Sequence, residues 1–496
     1  MSGSFRESSE LNQSTGLPSI IQGGMGIGVS GWRLARAVSA AGQLGVVSLT
    51  AVDSLMVRRL QDGDAGGHLR RAMSRFPLPQ IADGVLQRYF LPEGRPEGQP
   101  YKLLTMFSRT SGKRRQEVTM LAGFVEVELA REGHHGMVGA NLLTKLQLPN
   151  LPLLYGAMLA GVDVILMGAG IPREIPGVLD ALAAHRPVEL RMDIEDDSAG
   201  GSEVISFDPR QHWPEGQLPA PLTRPRFLAI IASNSLATVL ARKASGRVDG
   251  FVVEGSTAGG HNAPPRGAAS FNEKGEPVYG ERDAVDLSRL RELGIPFWLA
   301  GGVGSPESLV QAEAAGAAGI QVGTLFAYCD ESGLSPEIKR SVLAAVSEGT
   351  VEVFTDPLAS PTGYPFKVVR WPGDPTGGQA EPRHRICDLG YLRSAYRRED
   401  GGIGYRCPAE PVADFVRKGG AESETVGRRC LCNGLMADVG FGQSRGDGRV
   451  EPPLVTSGDD LASLGRFLGG RSGYPARNVV EYLLGREAPL PQSTGR

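Results

Sequence analysis

Eight short apolar runs, most of them closed by glycine and followed by a helix-forming stretch, constrain this chain more than any other feature. They begin near residues 19, 44, 136, 162, 226, 248, 296 and 319. Val248 to Glu254 is typical: it is apolar without a helical period, as a strand covered on both faces must be. Strands of that kind belong to parallel sheets, which need crossover helices between them. The intervening stretches supply those helices. Trp32 to Ala41 is periodic, and Lys113 to Glu132 carries Val118, Leu121, Val125 and Leu129 three or four residues apart. Leu153 to Ala160, Glu174 to Ala184, Ser235 to Lys243 and Asp286 to Leu293 follow. Ser305, Pro306 and Glu307 then form an N-cap, first residue and first-turn acid for a helix to Ala315. About eight strand-helix units is the requirement of a closed parallel barrel. The expected fold class is therefore α/β, a (β/α)8 TIM barrel with insertions and a C-terminal extension. A doubly wound sheet with fewer true strands is the alternative.

The barrel is placed at residues 17–335, behind a polar, Ser-rich tail at 1–16 that is expected to be disordered. Insertions are expected at about 51–111, which is rich in Arg, Pro and Gly, and at 187–219. In the second, residues 187–194 and 203–207 pair as a hairpin around the acidic turn Glu195, Asp196 and Asp197. Residues 336–496 form a helical and irregular extension, with helices at 459–468 and 476–484 and four cysteines.

The charge balance narrows the function. A net charge of -3 without a block of Lys or Arg argues against nucleic acid or an anionic membrane as partner and leaves a small-molecule substrate. The longest apolar stretch, 151–171, contains Pro152 and Asp163 and divides into a helix and a strand, so no membrane span is expected. The Ser-rich start lacks a signal-peptide core, and 5 cysteines in 496 residues do not make a disulfide scaffold; both point to the cytoplasm.

Chemistry is expected at the strand ends. After the run at 248, Gly255, Gly259 and Gly260 allow close backbone approach to a ligand, and His261 adds a side chain able to move a proton. After the seventh and eighth runs, the amides of Gly301, Gly302, Gly323 and Thr324 can face one phosphate, the place where barrels commonly bind it. The first turn also contains G-x-G-x-x-G at Gly26, Gly28 and Gly31, with Asp53 near the position of an acidic ribose ligand. A lone match of that kind in a chain with 68 glycines is weak evidence for a dinucleotide fold.

Five motifs in order, Ile21-Gln-Gly-Gly-Met25, Gly139-Ala-Asn141, Glu254-Gly-Ser-Thr-Ala-Gly-Gly-His261, Ala300-Gly-Gly302 and Gln321-Val-Gly-Thr324, resemble the FMN-dependent nitronate monooxygenases, formerly called 2-nitropropane dioxygenases. The same superfamily holds flavin-dependent enoyl-acyl-carrier-protein reductases and the trans-acting enoyl reductases of fatty acid and polyketide synthases. The resemblance covers roughly residues 17–335. It implies FMN phosphate on Gly301, Gly302, Gly323 and Thr324, with Gly24 and Met25 beside the ring system and Gln22 among the cofactor-binding residues. Asn141, Glu254, Gly259 and Gly260 would complete the cofactor site, and His261 would be the catalytic histidine, as base or as substrate-positioning group. The substrate would be a nitronate oxidised with O2. The runner-up is an enoyl thioester reduced with NAD(P)H, with a carrier protein as partner. Glu254 stands where many bacterial nitronate monooxygenases have Gln and is familiar from the reductase branch. Arg266 adds a cation suited to an anionic substrate or to a loop salt bridge. A flavin-holding subunit without turnover and a nicotinamide-binding dehydrogenase are the remaining readings.

Cys387, Cys407, Cys430 and Cys432 fall in one segment and are a candidate zinc set. Cys430 and Cys432, however, have one residue between them where zinc knuckles have two to four.

Overall fold

The computed structural model describes residues 16–195, 203–374 and 384–486. Nearly all of the expected N-terminal tail, the last ten residues of the chain, and Asp196 and Asp197 of the acidic turn lie outside that range.

The eight apolar runs form eight strands: β1 (Ile20–Gln22), β2 (Gly45–Ser48), β3 (Val138–Leu143), β4 (Val164–Gly168), β5 (Arg226–Ile231), β6 (Gly250–Glu254), β7 (Phe297–Ala300) and β8 (Gly319–Val322). Each pairs in parallel with the next, from β2 through β8, and β8 pairs with β1. Closure comes at Leu44. Its amide donates to Ile20 O at 3.1 Å, and its carbonyl accepts from Gln22 N at 2.9 Å. The molecule is thus a (β/α)8 barrel, and the doubly wound alternative falls because such a sheet keeps two open edges.

Side chains fill the barrel interior. Ile21, Val46, Val164, Leu166, Leu228, Val252 and Trp298 pack there with almost no exposure. The Trp298 indole donates to Pro18 O at 3.0 Å, which satisfies its one polar atom. A larger apolar layer separates the strands from the surrounding helices, which explains why the strands read as unbroken apolar runs.

Helices Trp32–Ala40, Lys113–Arg131, Ile175–Ala183, Asn234–Lys243, Leu287–Glu292 and Pro306–Ala314 lie within a residue or two of their expected bounds. Ser233 and Ser305 cap two of them by accepting from Leu236 N and Ser308 N. The helix expected from Leu153 starts earlier and spans Gln147–Leu159. Pro149 falls in its first turn, where a missing amide costs nothing. Pro152 lies inside the helix, where close burial of Leu151, Leu153, Leu154 and Tyr155 offsets the lost bond.

Residues 51–111 hold three helices, Val52–Gln61, His68–Met73 and Pro79–Tyr89. The first is buried along nearly its whole length. Its Arg58 guanidinium, which hid that burial from the sequence, donates to Phe441 O and stacks 4.9 Å from the Tyr101 ring. Strands at Val188–Arg191 and Val204–Phe207 pair antiparallel, as expected for that hairpin.

Beyond helix Pro336–Glu348 the chain forms two antiparallel hairpins. Glu352–Asp356 pairs with Phe366–Arg370, and Ser394–Arg397 pairs with Ile403–Arg406. Helix Leu431–Asp438, a 3-10 turn at Asp459–Ser463, and helices Leu464–Leu468 and Ala476–Leu483 follow. Among the described residues no helix is long and apolar enough to cross a membrane. The stretch at 151–171 divides between a helix and β4.

Candidate active site

The C-terminal ends of the barrel strands open into a cavity of about 240 Å³. Its floor comes from the barrel. Gly23, Gly24 and Met25 follow β1, Asn141 lies on β3, and Glu254 ends β6. Thr257 to His261 form the next loop, Ala300 to Gly304 follow β7, and Gln321 to Thr324 end β8. Part of its wall comes from the C-terminal extension, through Phe366, Tyr391, Leu392, Leu431 and Asp438 and the turn Thr456 to Gly458. None of the extension residues carried a recognisable motif.

The structure brings together most of the residues expected to bind a cofactor. Gly24 is required where it stands: a Cβ there would lie 2.2 Å from the Asn141 Cβ. Asn141 in turn donates to Gly24 O at 3.3 Å, so strand β3 locks the first glycine turn. Gly301 and Gly302 have φ of 94° and 66°, a backbone that disfavours side chains. They line the cavity beside Gly323 and Thr324. Gln321 Oε1, also at the cavity, is buried without a hydrogen-bond partner among the described residues. A glycine cradle with an orphaned acceptor beside it fits a ligand that offers both a phosphate and hydrogen-bond donors. Asp460, from the extension, borders the cradle and accepts from the Thr324 hydroxyl. Burial raises its pKa above the usual carboxylate value, against the Thr324 hydrogen bond, which lowers it.

Two expected residues are placed elsewhere. Gln22 lies behind the cavity floor, fully buried. It donates to Ser30 Oγ at 2.8 Å and to Gly23 O, and accepts from Val46 N at 2.9 Å. It therefore holds the glycine turn in shape from behind. Arg266 is exposed, and its guanidinium donates to Ala232 O at 2.8 Å and Arg282 O at 3.0 Å. It pins its own loop. Asp53, the acid of the dinucleotide pattern, is buried and engaged by Arg115 at 2.7 Å and Thr119 at 2.8 Å.

His261 lies at the cavity with its ring edge-on to Phe366, 4.9 Å between centroids. Its Nε2 is 2.7 Å from Ser360 Oγ, and Nδ1 has no partner among the described residues. Burial and the Lys145 charge push its pKa down to about 3, so the imidazole is neutral near neutral pH. Glu254 is shifted the other way: burial pushes its carboxyl up to about 7. The loop bearing His261 is clamped by the extension. Gly260 N donates to Thr456 Oγ1 at 2.9 Å, and Gly260 O accepts from Lys367 N at 2.9 Å.

The four C-terminal cysteines border one small hollow beneath the cavity wall. Burial is the main cause raising the Cys387 and Cys407 thiols, while Cys432 is raised chiefly by its hydrogen bond with Cys430. Among the described residues no group of three or more His, Cys, Asp or Glu side chains, these cysteines included, is arranged to hold a metal. No disulfide joins any of the five cysteines.

Residues 177–358, from β5 through β8 and including His261, match the family model described as nitronate monooxygenase. A probable nitronate monooxygenase of Staphylococcus haemolyticus is 32% identical over 105 residues, covering 21% of this chain and 28% of that protein. Another from Staphylococcus saprophyticus is 32% identical over 130 residues, covering 25% and 34%. The chain thus matches only about a third of the length of these relatives. Among solved structures, FabK from Thermotoga maritima aligns over 96% of this chain and 94% of its own at 16% identity and a TM-score of 0.46.

Proposed function

We propose that this chain, whose residues 177–358 match the nitronate monooxygenase family, is an FMN-dependent oxidoreductase that oxidises alkyl nitronates with O2. The observation that carries the reading is His261. It is a neutral, half-buried imidazole with one ring nitrogen unengaged, in the cavity that Gly301, Gly302, Gly323 and Thr324 also line.

FMN, when bound, supplies the electron transfer to oxygen. The residues present would hold its phosphate at the cradle after β7 and β8, and its ring system against Gly24, Met25 and Asn141. Every other task falls to the chain. His261 Nδ1 is available to accept a carbon-bound proton or to donate to a nitronate oxygen. The apolar wall of Phe366, Leu392 and Leu431 excludes water. Glu254, largely protonated up to about pH 7, is a hydrogen-bond donor to a cofactor or substrate oxygen and not a competing charge.

The test is anaerobic stopped-flow mixing of the FMN-loaded protein with an alkyl nitronate and, separately, with NADPH. Rapid loss of flavin absorbance with the nitronate alone is the expected result. Loss with NADPH, reversed by an enoyl thioester, would overturn it in favour of a trans-acting enoyl reductase that meets its substrate on a carrier protein. Flavin retained without either response would indicate a binding subunit.

A further inference from the structure

An imidazole as hard to protonate as His261 is a poor resting place for a proton. It serves as a base only if the proton can move on. The structure shows where it can go. On the side of His261 away from its unengaged nitrogen, Nε2 meets Ser360 Oγ at 2.7 Å, Ser360 Oγ meets Thr362 Oγ1 at 2.8 Å, and Thr362 Oγ1 meets Lys145 Nζ at 3.4 Å. The three links are continuous and polar, and Ser360 is fully buried. They join a lysine on the loop after β3 to a histidine after β6 through the turn of the hairpin Glu352–Asp356/Phe366–Arg370.

Lys145 is itself unusual. Its ammonium sits 2.9 Å from the centroid of the Tyr364 ring, and among the described residues no carboxylate is within ion-pair distance of it. Among the described residues, three other charged or titratable groups lie beside these links. They are Tyr364; Glu254, which lines the same cavity; and Arg428, which donates to Ser360 O at 2.6 Å and so fixes the backbone of the turn.

We propose that Lys145 is the proton reservoir of His261, joined to it by the hydroxyls of Ser360 and Thr362. The proposal rests on the oxidoreductase reading above. For a neutral nitroalkane the step balances as follows. The substrate C–H bond breaks and its electron pair stays on carbon as the nitronate, while a new N–H bond forms at His261 Nδ1. The Nε2 proton passes to Ser360 Oγ, the Ser360 proton to Thr362 Oγ1, and the Thr362 proton to neutral Lys145 Nζ, which becomes ammonium. His261 ends in its other neutral tautomer and never holds two protons. The partial exposure of Lys145 allows it to return the proton to water. Burial lowers its pKa to about 7, so the neutral, accepting form grows as pH rises through that value.

The test uses the full-length protein labelled with nitrogen-15 at histidine, with and without FMN, alongside turnover of the loaded enzyme. In the wild type, the ring signal missing from His261→Ala should change tautomer with a midpoint near the Lys145 value of about 7. The kcat/KM for the nitroalkane should rise through the same pH. Lys145→Met and Thr362→Val should both abolish the midpoint and lower nitroalkane turnover at least ~10-fold, with nitronate turnover within about 2-fold of wild type. If Thr362→Val keeps midpoint and rate while Lys145→Met loses them, Lys145 acts through its charge alone and the relay is overturned. It is also overturned if neither variant moves the ring signal. Should the wild type turn over no nitro compound, the NMR arm still decides: the midpoint, and its loss in Thr362→Val, would uphold the relay while the nitronate reading fails.

Discussion

His261 shows how far a residue's chemistry can be read before its surroundings are known. Its place after a glycine-rich strand end marked it as a proton-transfer group, and the structure puts it at the cavity. The sequence suggested a group titrating near neutrality. Burial and the Lys145 charge instead keep the ring neutral. Lys145 carried no motif, since a single lysine between two apolar stretches looks like any solvated charge. Arg266, the cation that did stand out, is held by the carbonyls of Ala232 and Arg282. If His261 moves the substrate proton, His261→Ala will lower kcat/KM on a neutral nitroalkane by ~100-fold or more while costing less than ~10-fold on the preformed nitronate. Equal losses on the two substrates would leave it only a positioning role.

Elements were legible where one period dominated. The barrel strands announced themselves because each is covered on both faces, and β1, β4, β6, β7 and β8 end at or lead into glycines that line the cavity. The hairpin Glu352–Asp356/Phe366–Arg370 was missed although both strands are short and apolar enough. Its connecting turn contains Pro357, Pro361 and Pro365, which read as breakers. That turn carries Ser360 and Thr362, the two hydroxyls of the proposed relay. The first glycine turn gives the matching prediction. Gly24→Ala sets a methyl against Asn141 with no flexible side-chain end to yield, so the turn must move. FMN affinity should fall by at least ~10-fold in a fluorescence-quenching titration, and the melting temperature of the cofactor-free protein should fall as well. Unchanged affinity would remove Gly24 from the cofactor site.

At the scale of the whole molecule, the extension forms part of the wall of the candidate site. Tyr391 lines the cavity, donates to Asp53 on the barrel side, and shares a 2.7 Å hydrogen bond with Ser54 Oγ. Burial would raise the Asp53 pKa, but Arg115 and the hydroxyls of Tyr391 and Thr119 outweigh it and keep the carboxylate ionised. Tyr391→Phe removes one of those bonds from a buried charge and should cost about 1–3 kcal/mol in chemical denaturation. It should also weaken FMN binding by loosening the wall. Loss of stability without any change in affinity would make the contact purely structural.

The sequence by itself determined the barrel, the cradle glycines and His261, because those depend on local periodicity, on backbone positions that tolerate no side chain, and on one titratable residue at a strand end. Only the tertiary structure decided what faces them. Lys145, Ser360, Thr362, Asp460 and Tyr391 come from segments far apart in the chain, and their pairing and protonation are set by burial and by neighbours that local sequence does not encode.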